Sequence, residues 1–132
     1  MNKLIATVAN IQKCDSLHIV KFDFCGQTFA MMSLELNETI QIGTKVSLVV
    51  KPTHIALGKN VDGELSYSNQ LKCVITSIEN GQLLSSVKLA FFDTTLESII
   101  TVNSSKKMNL QVGDTVTAFI KASDLSIGKV VL

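Results

Sequence analysis

The sequence predicts an all-β fold made of two tandem copies of one small barrel, with one short helix per repeat. Three observations predict it. The chain of 132 residues is 46% hydrophobic and only 17% charged, against about 25% charged in an average soluble domain. Val, Ile and Thr alternate with polar residues over short runs separated by turns, which is the pattern of half-buried strands. The chain also repeats itself, so that its start falls on its middle when it is shifted by 67 residues.

The repeat is ordered along both halves. Asn2 falls on Asn69, Leu4 on Leu71, Ile11 on Ile78, Leu17 on Leu84, Val20-Lys21 on Val87-Lys88 and Phe24 on Phe91. Further on, the best shift is 70: Gly43 meets Gly113, Val46 meets Val116, Lys51 meets Lys121 and Gly58-Lys59 meets Gly128-Lys129. The first copy is therefore three residues shorter between Phe24 and Gly43. A duplication accounts for the whole order, and divides the chain into domains over 1–62 and 66–132.

Within each copy the elements follow in sequence. LIATVANI (4–11) and LKCVITSI (71–78) alternate as first strands. LHIVKFDF (17–24) and LLSSVKLAF (83–91) return from them, the second across an Asn80-Gly81 hairpin signal. TFAMMS (28–33) and LESIIT (96–101) supply third strands. Ser104 is placed to cap a helical turn over Ser105 to Met108 by accepting from its free amides, with a shorter counterpart over Leu34 to Thr39. Gly43 and Gly113 then mark turns before KVSLVVKPTHIAL (45–57) and TVTAFIKASDLSI (115–127). Five short strands and a helical turn per copy describe an OB-like barrel. A copy of some 60 residues buries too little surface to be secure alone, so pairing of the copies or oligomerisation is expected.

Composition limits the function. Twelve lysines against eleven acids give a net charge of +1, and the chain has no arginine and no tryptophan. Phosphate contacts need clustered Lys and Arg, and stacking platforms need aromatics, so a nucleic-acid partner is not expected. No run approaches the roughly 18 apolar residues of a membrane span. Three cysteines without CxxC spacing fit reduced thiols in a cytoplasm, with those in strands as core residues. His18 and His54 lie in separate segments without metal-ligand spacing, so no metal cation is expected. No catalytic motif is present, and scattered acids such as Asp15, Asp62, Glu64, Asp93 and Asp114 read as a solvated face. An enzyme is not expected.

Small hydroxyl residues and a lysine recur at matched places. The second copy carries Ser66, Ser68, Thr101 and the run Lys121-Ala122-Ser123, and the first carries Ser33, Lys51 and Thr53. Hydroxyls, an ammonium and backbone N–H groups are the donors that a tetrahedral oxyanion accepts, and charge-assisted bonds are roughly twice as strong as neutral ones. Ser and Thr also cap turns, and strand lysines lay their stems on apolar surface.

SYSNQLKCVITSI (66–78), LESIIT (96–101) and LQVGDTVTAFIKASDLSI (110–127) resemble the Mop (TOBE-type) molybdate-binding domain, which opens with a Ser-x-Arg-Asn-x-Leu-x-Gly strand and ends in Val-x-Ala-x-Ile-Lys-Ala-Ser. The first copy is similar more loosely, through Asn2, Leu4, Ile42, Gly43, Val46 and Lys51-Pro52-Thr53. The resemblance covers nearly the whole chain and implies two tandem OB-like Mop domains. It also implies a cytoplasmic protein that binds, stores or buffers molybdate or tungstate, assembled as a homo-oligomer, a trimer, with anions between neighbouring domains. The alternative it leaves is an anion-sensing module acting on a transporter or regulator. By resemblance Lys121 supplies charge, Ser66, Thr101 and Ser123 donate hydroxyl hydrogens, and Ala122 donates its N–H. Ser68 stands at the family's arginine and Cys73 at its glycine. Pro52 replaces the alanine and has no N–H to donate. Two unequal classes of site follow, the better one built around Lys121. The motif itself shows no carboxylate, which favours fully ionised oxyanions over phosphate, whose proton needs an acceptor.

Overall fold

The computed structural model describes residues 1–131, among which ten strands form two five-stranded antiparallel sheets with one α-helix. The first copy gives β1 (Asn2–Cys14), β2 (Leu17–Phe24), β3 (Gln27–Ser33), β4 (Lys45–Val50) and β5 (Ala56–Gly58). The second gives β6 (Asn69–Asn80), β7 (Leu84–Phe91), β8 (Thr94–Thr101), α1 (Val102–Lys107), β9 (Thr115–Ile120) and β10 (Ser126–Val130). Sheet order is β10-β4-β1-β2-β3 in one sheet and β5-β9-β6-β7-β8 in the other. Each sheet thus takes four strands from one copy and its fifth from the other.

Alternation drives this pairing. Leu4, Ala6 and Val8 of β1 are buried, as are the matched Leu71, Cys73 and Ile75 of β6. Both strands are bulged at matched places, between Val8 and Asn10 and between Ile75 and Ser77. Gly43 and Gly113 adopt φ of 93° and 95°, a region open to glycine at no steric cost. Their N–H groups donate to Val8 O and Ile75 O, at 2.8 Å each. The same backbone device therefore closes both barrels.

The buried residues form one cluster that draws on both copies. Phe24 and Phe91, matched in the repeat, stack with ring centroids 5.5 Å apart. Two buried asparagines clasp the copies reciprocally. Asn2 donates to Glu97 O (2.8 Å) and accepts from Glu97 N (2.7 Å). Asn69 donates to Ala30 O (2.9 Å) and to Ile120 O (3.2 Å), and accepts from Ala30 N (2.8 Å). Ala30 and Glu97 are themselves matched, so the clasp obeys a pseudo-twofold relation. A buried amide with its partners met on both sides fixes register as apolar contacts do not.

Three details depart from the sequence reading. The helix begins at Val102 with Thr101, not Ser104, as its N-cap: Thr101 Oγ1 accepts from Ser104 N at 3.1 Å. Burial of Val102 and Ser105 extends the helix by one turn toward β8. The shorter stretch Leu34–Thr39 makes turns rather than a helix, because three fewer residues leave no length for one. A cysteine in a strand is not always core: Cys14 ends β1 yet is exposed, as is Cys25 in the β2–β3 turn with φ of 49°, whereas Cys73 is buried and its thiol is pushed up to about 11 by that burial.

Candidate functional site

Each copy ends β4 or β9 in the same short device. Lys51 and Lys121 have extended backbones (φ −70°, ψ 141° and φ −68°, ψ 147°) and head 310 turns over Pro52–His54 and Ala122–Asp124. His54 N and Asp124 N donate back to Lys51 O and Lys121 O at 2.9 Å each. Proline is favourable as the first residue of such a turn, since its N–H would have no partner there. At the same place the second copy offers the N–H of Ala122. The exchange of β5 and β10 brings the two turns face to face.

Between them lies a cavity of about 240 Å³ lined by Met1, Val49, Val50, Lys51, His54, Ser123, Asp124 and Ser126. It joins one lysine of the first copy to two hydroxyl residues of the second. His54 Nδ1 and Asp124 Oδ1 stand 3.7 Å apart across it, with side chains 43% and 30% exposed. Positions 54 and 124 are matched in the repeat, so the pair spans the pseudo-twofold. The sequence reading missed both residues, although Asp124 directly follows Ser123 and the shift of 70 links it to His54. The cavity is therefore not lined by donors alone: Asp124 places a carboxylate beside Lys51 and Ser123, which corrects the expectation drawn from the motif.

The remaining expected residues are distributed. Ser33 lines a larger groove of about 670 Å³ between the end of β3 and β10, to which Ser123 also belongs. Thr101, with Asn103 and Lys106, borders a third hollow of about 450 Å³ beside Leu83 and Leu84. Its hydroxyl is engaged in capping α1 and in a 2.9 Å bond to Ser104 Oγ. Ser66, Ser68, Thr53 and Lys121 are exposed, and Ala122 is half-buried. Asp114, expected on a solvated face, instead holds a turn: its carboxylate accepts from Gln111 N (2.9 Å) and pairs with Lys59 (3.1 Å). These two contacts, the amide first, hold its carboxyl below the usual range.

Residues 65–127 match the TOBE domain. The fold is similar to that of the cytoplasmic molybdate-binding protein ModG in a crystal form with molybdate bound: TM-score 0.91, 26% identity, 97% of this chain and 95% of that one covered. A molybdate-binding protein from Sporomusa ovata matches 46% of this chain and 90% of its own length, at 30% identity and a TM-score of 0.45. No curated protein sequence matches. Fold and turns thus define a duplicated OB-like barrel. Residues 65–127 are a TOBE domain, and the chain as a whole is similar in fold to the molybdate-binding protein ModG.

Proposed function

We propose that this protein binds molybdate or tungstate reversibly inside the cell, as a cytoplasmic store or buffer, and that it is not an enzyme. The observation that carries this reading is the likeness to molybdate-bound ModG along nearly the full length of both chains. The chemistry agrees with it. Lysines at the heads of two turns stand with hydroxyls and one free amide, which are donors for a tetrahedral dianion. The repeat units 1–62 and 66–132 each contribute one such turn.

Most of the ligand residues in this reading, Ser66, Ser68, Thr53 and Lys121 among them, are exposed in a single chain. Anion sites at interfaces between domains of a trimer would enclose them, and a second copy would cover matched apolar residues such as Ile42 and Val112, both more than 60% exposed. The two classes of site are unequal, because the first copy lacks an amide at Pro52. Calorimetric titration of ion-free protein with molybdate, tungstate and sulfate, paired with its native mass, tests the proposal. Saturable heat from molybdate or tungstate that falls in Lys121→Ala is expected. No heat from any of the three at micromolar protein would sink it.

A further inference from the structure

We propose that His54 is an anion-binding residue of the cavity between the two turns, acting as a second cationic donor when protonated, so that oxyanion binding there takes up a proton. The inference rests on the proposed function and adds a ligand and a regulation to it. Its geometry is that of the paired turns: His54 and Asp124 occupy matched positions, meet at 3.7 Å, and line the same cavity as Lys51, Ser123 and Ser126.

Charge decides the argument. With a neutral imidazole, the Lys51 ammonium and the Asp124 carboxylate cancel, and an entering dianion faces an unpaired carboxylate. With an imidazolium, Asp124 is matched by His54 and the rim carries a net positive charge. The chain has no arginine, so an imidazolium is the cation available besides lysine. Imidazole is also the side chain whose charge ordinarily changes between pH 5 and 8. Other charged groups on the elements packed around His54 do not replace it. Lys51 and Lys121, which head the two turns, are the cations to which an imidazolium would add. Glu97 on β8 is taken up by the Ser86 hydroxyl. Met1 also borders the cavity, and the variants below separate its contribution from that of His54.

Binding and protonation are reciprocal: if a proton favours the anion, the anion favours the proton. Molybdate keeps its double negative charge across this range, so a dependence on pH reports the protein. The test is calorimetric titration of the full ion-free chain with molybdate at about pH 6, 7 and 8, each in two buffers of different ionisation heat. Affinity at one class of site is expected to fall roughly tenfold from pH 6 to 8, well inside the ceiling of about tenfold per pH unit for one linked proton, with buffer-dependent heat marking proton uptake. His54→Gln should be flat and as weak as the wild type at pH 8. His54→Lys, a fixed cation, should be flat and as tight as the wild type at pH 6. Asp124→Asn should tighten binding at pH 8. A flat wild-type profile, or a slope that survives in His54→Gln, overturns the proposal and leaves oxyanion binding intact. Absence of molybdate binding at every pH overturns both.

Discussion

The two copies agree where they build the scaffold and differ where they face the cavity. Asn2 with Asn69 and Phe24 with Phe91 are identical pairs that reciprocate or meet across the pseudo-twofold. Lys51-Pro52-Thr53-His54 and Lys121-Ala122-Ser123-Asp124 share a backbone but keep one residue in common, the lysine. A symmetric fold needs symmetric register devices, because one error in pairing would turn a whole strand inside out. A site has no such requirement. The divergence gives the two turns opposite partners, an imidazole and a carboxylate, at the same position.

Breaking the clasp carries the largest expected effect. Asn69→Ala removes three hydrogen bonds and leaves Ala30 N–H and C=O without their partner in a part-buried place. A buried polar group left unsatisfied costs about 1–3 kcal/mol, so the variant should lose ~3 kcal/mol in denaturant unfolding. Asn2→Ala loses two bonds and is less deeply buried, and should lose less. Equal losses would mean that the third bond, to Ile120 O, contributes nothing.

The next effect is on binding. Lys121→Ala should weaken oxyanion binding by ~1.5–3 kcal/mol, the range for a hydrogen bond to a charged group. Lys51→Ala should weaken a second, poorer class of site by less, since the proline beside it offers no amide. Calorimetry on both variants measures the difference. If the two losses are the same, the turns are equivalent in function despite their sequences.

A third test concerns Ala6 and Cys73, which fill matched core positions. Burial holds the Cys73 thiol up to about 11, and the thiolate is the reactive form. A disulfide reagent near pH 8 should titrate Cys14 and Cys25 in the native protein and reach Cys73 only on unfolding. Cys73→Ala copies the first barrel into the second and should cost about 1 kcal/mol or less, as a small change in core volume does.

How much of this was legible in the sequence follows from the same comparison. The strands, the shared shift and the glycine turns could be read because each rests on local periodicity or on one residue's backbone freedom. The exchange of β5 and β10 could not, because both copies present the same edge and nothing local says which sheet a short strand joins. The clasp was visible as a matched Asn2 and Asn69 without its meaning, since only the crossing of the copies puts Glu97 and Ala30 within reach. Site residues were the least legible. Lys51 and Ser123 share a cavity through that crossing, and Asp124 joins them from a place the motif leaves undefined. Thr101 and Ser104 were both seen as polar, yet the cap fell to the residue one turn earlier, where Val102 turns inward.

The smallest expected effect lies where the copies differ by one carboxylate. Gln41 N donates to Thr44 Oγ1 in the first copy (3.0 Å), as Gln111 N does to Asp114 in the second (2.9 Å). Thr44 has no charge for Lys129, the counterpart of Lys59. The Asp114 carboxyl is held low by the Gln111 amide and then by Lys59, so its pKa is lower folded than unfolded. Its contribution is therefore present above the ordinary carboxylate range, near pH 4, and is lost as pH falls through the folded value. Asp114→Asn should unfold slightly more easily at neutral pH and lose part of the wild type's acid slope. Thr44→Asp should add a similar slope by giving Lys129 a partner. Salt should shrink both changes, as it does for exposed pairs. An unchanged acid profile in Asp114→Asn would mean that the turn is held by Gly113 and the strand bulge alone.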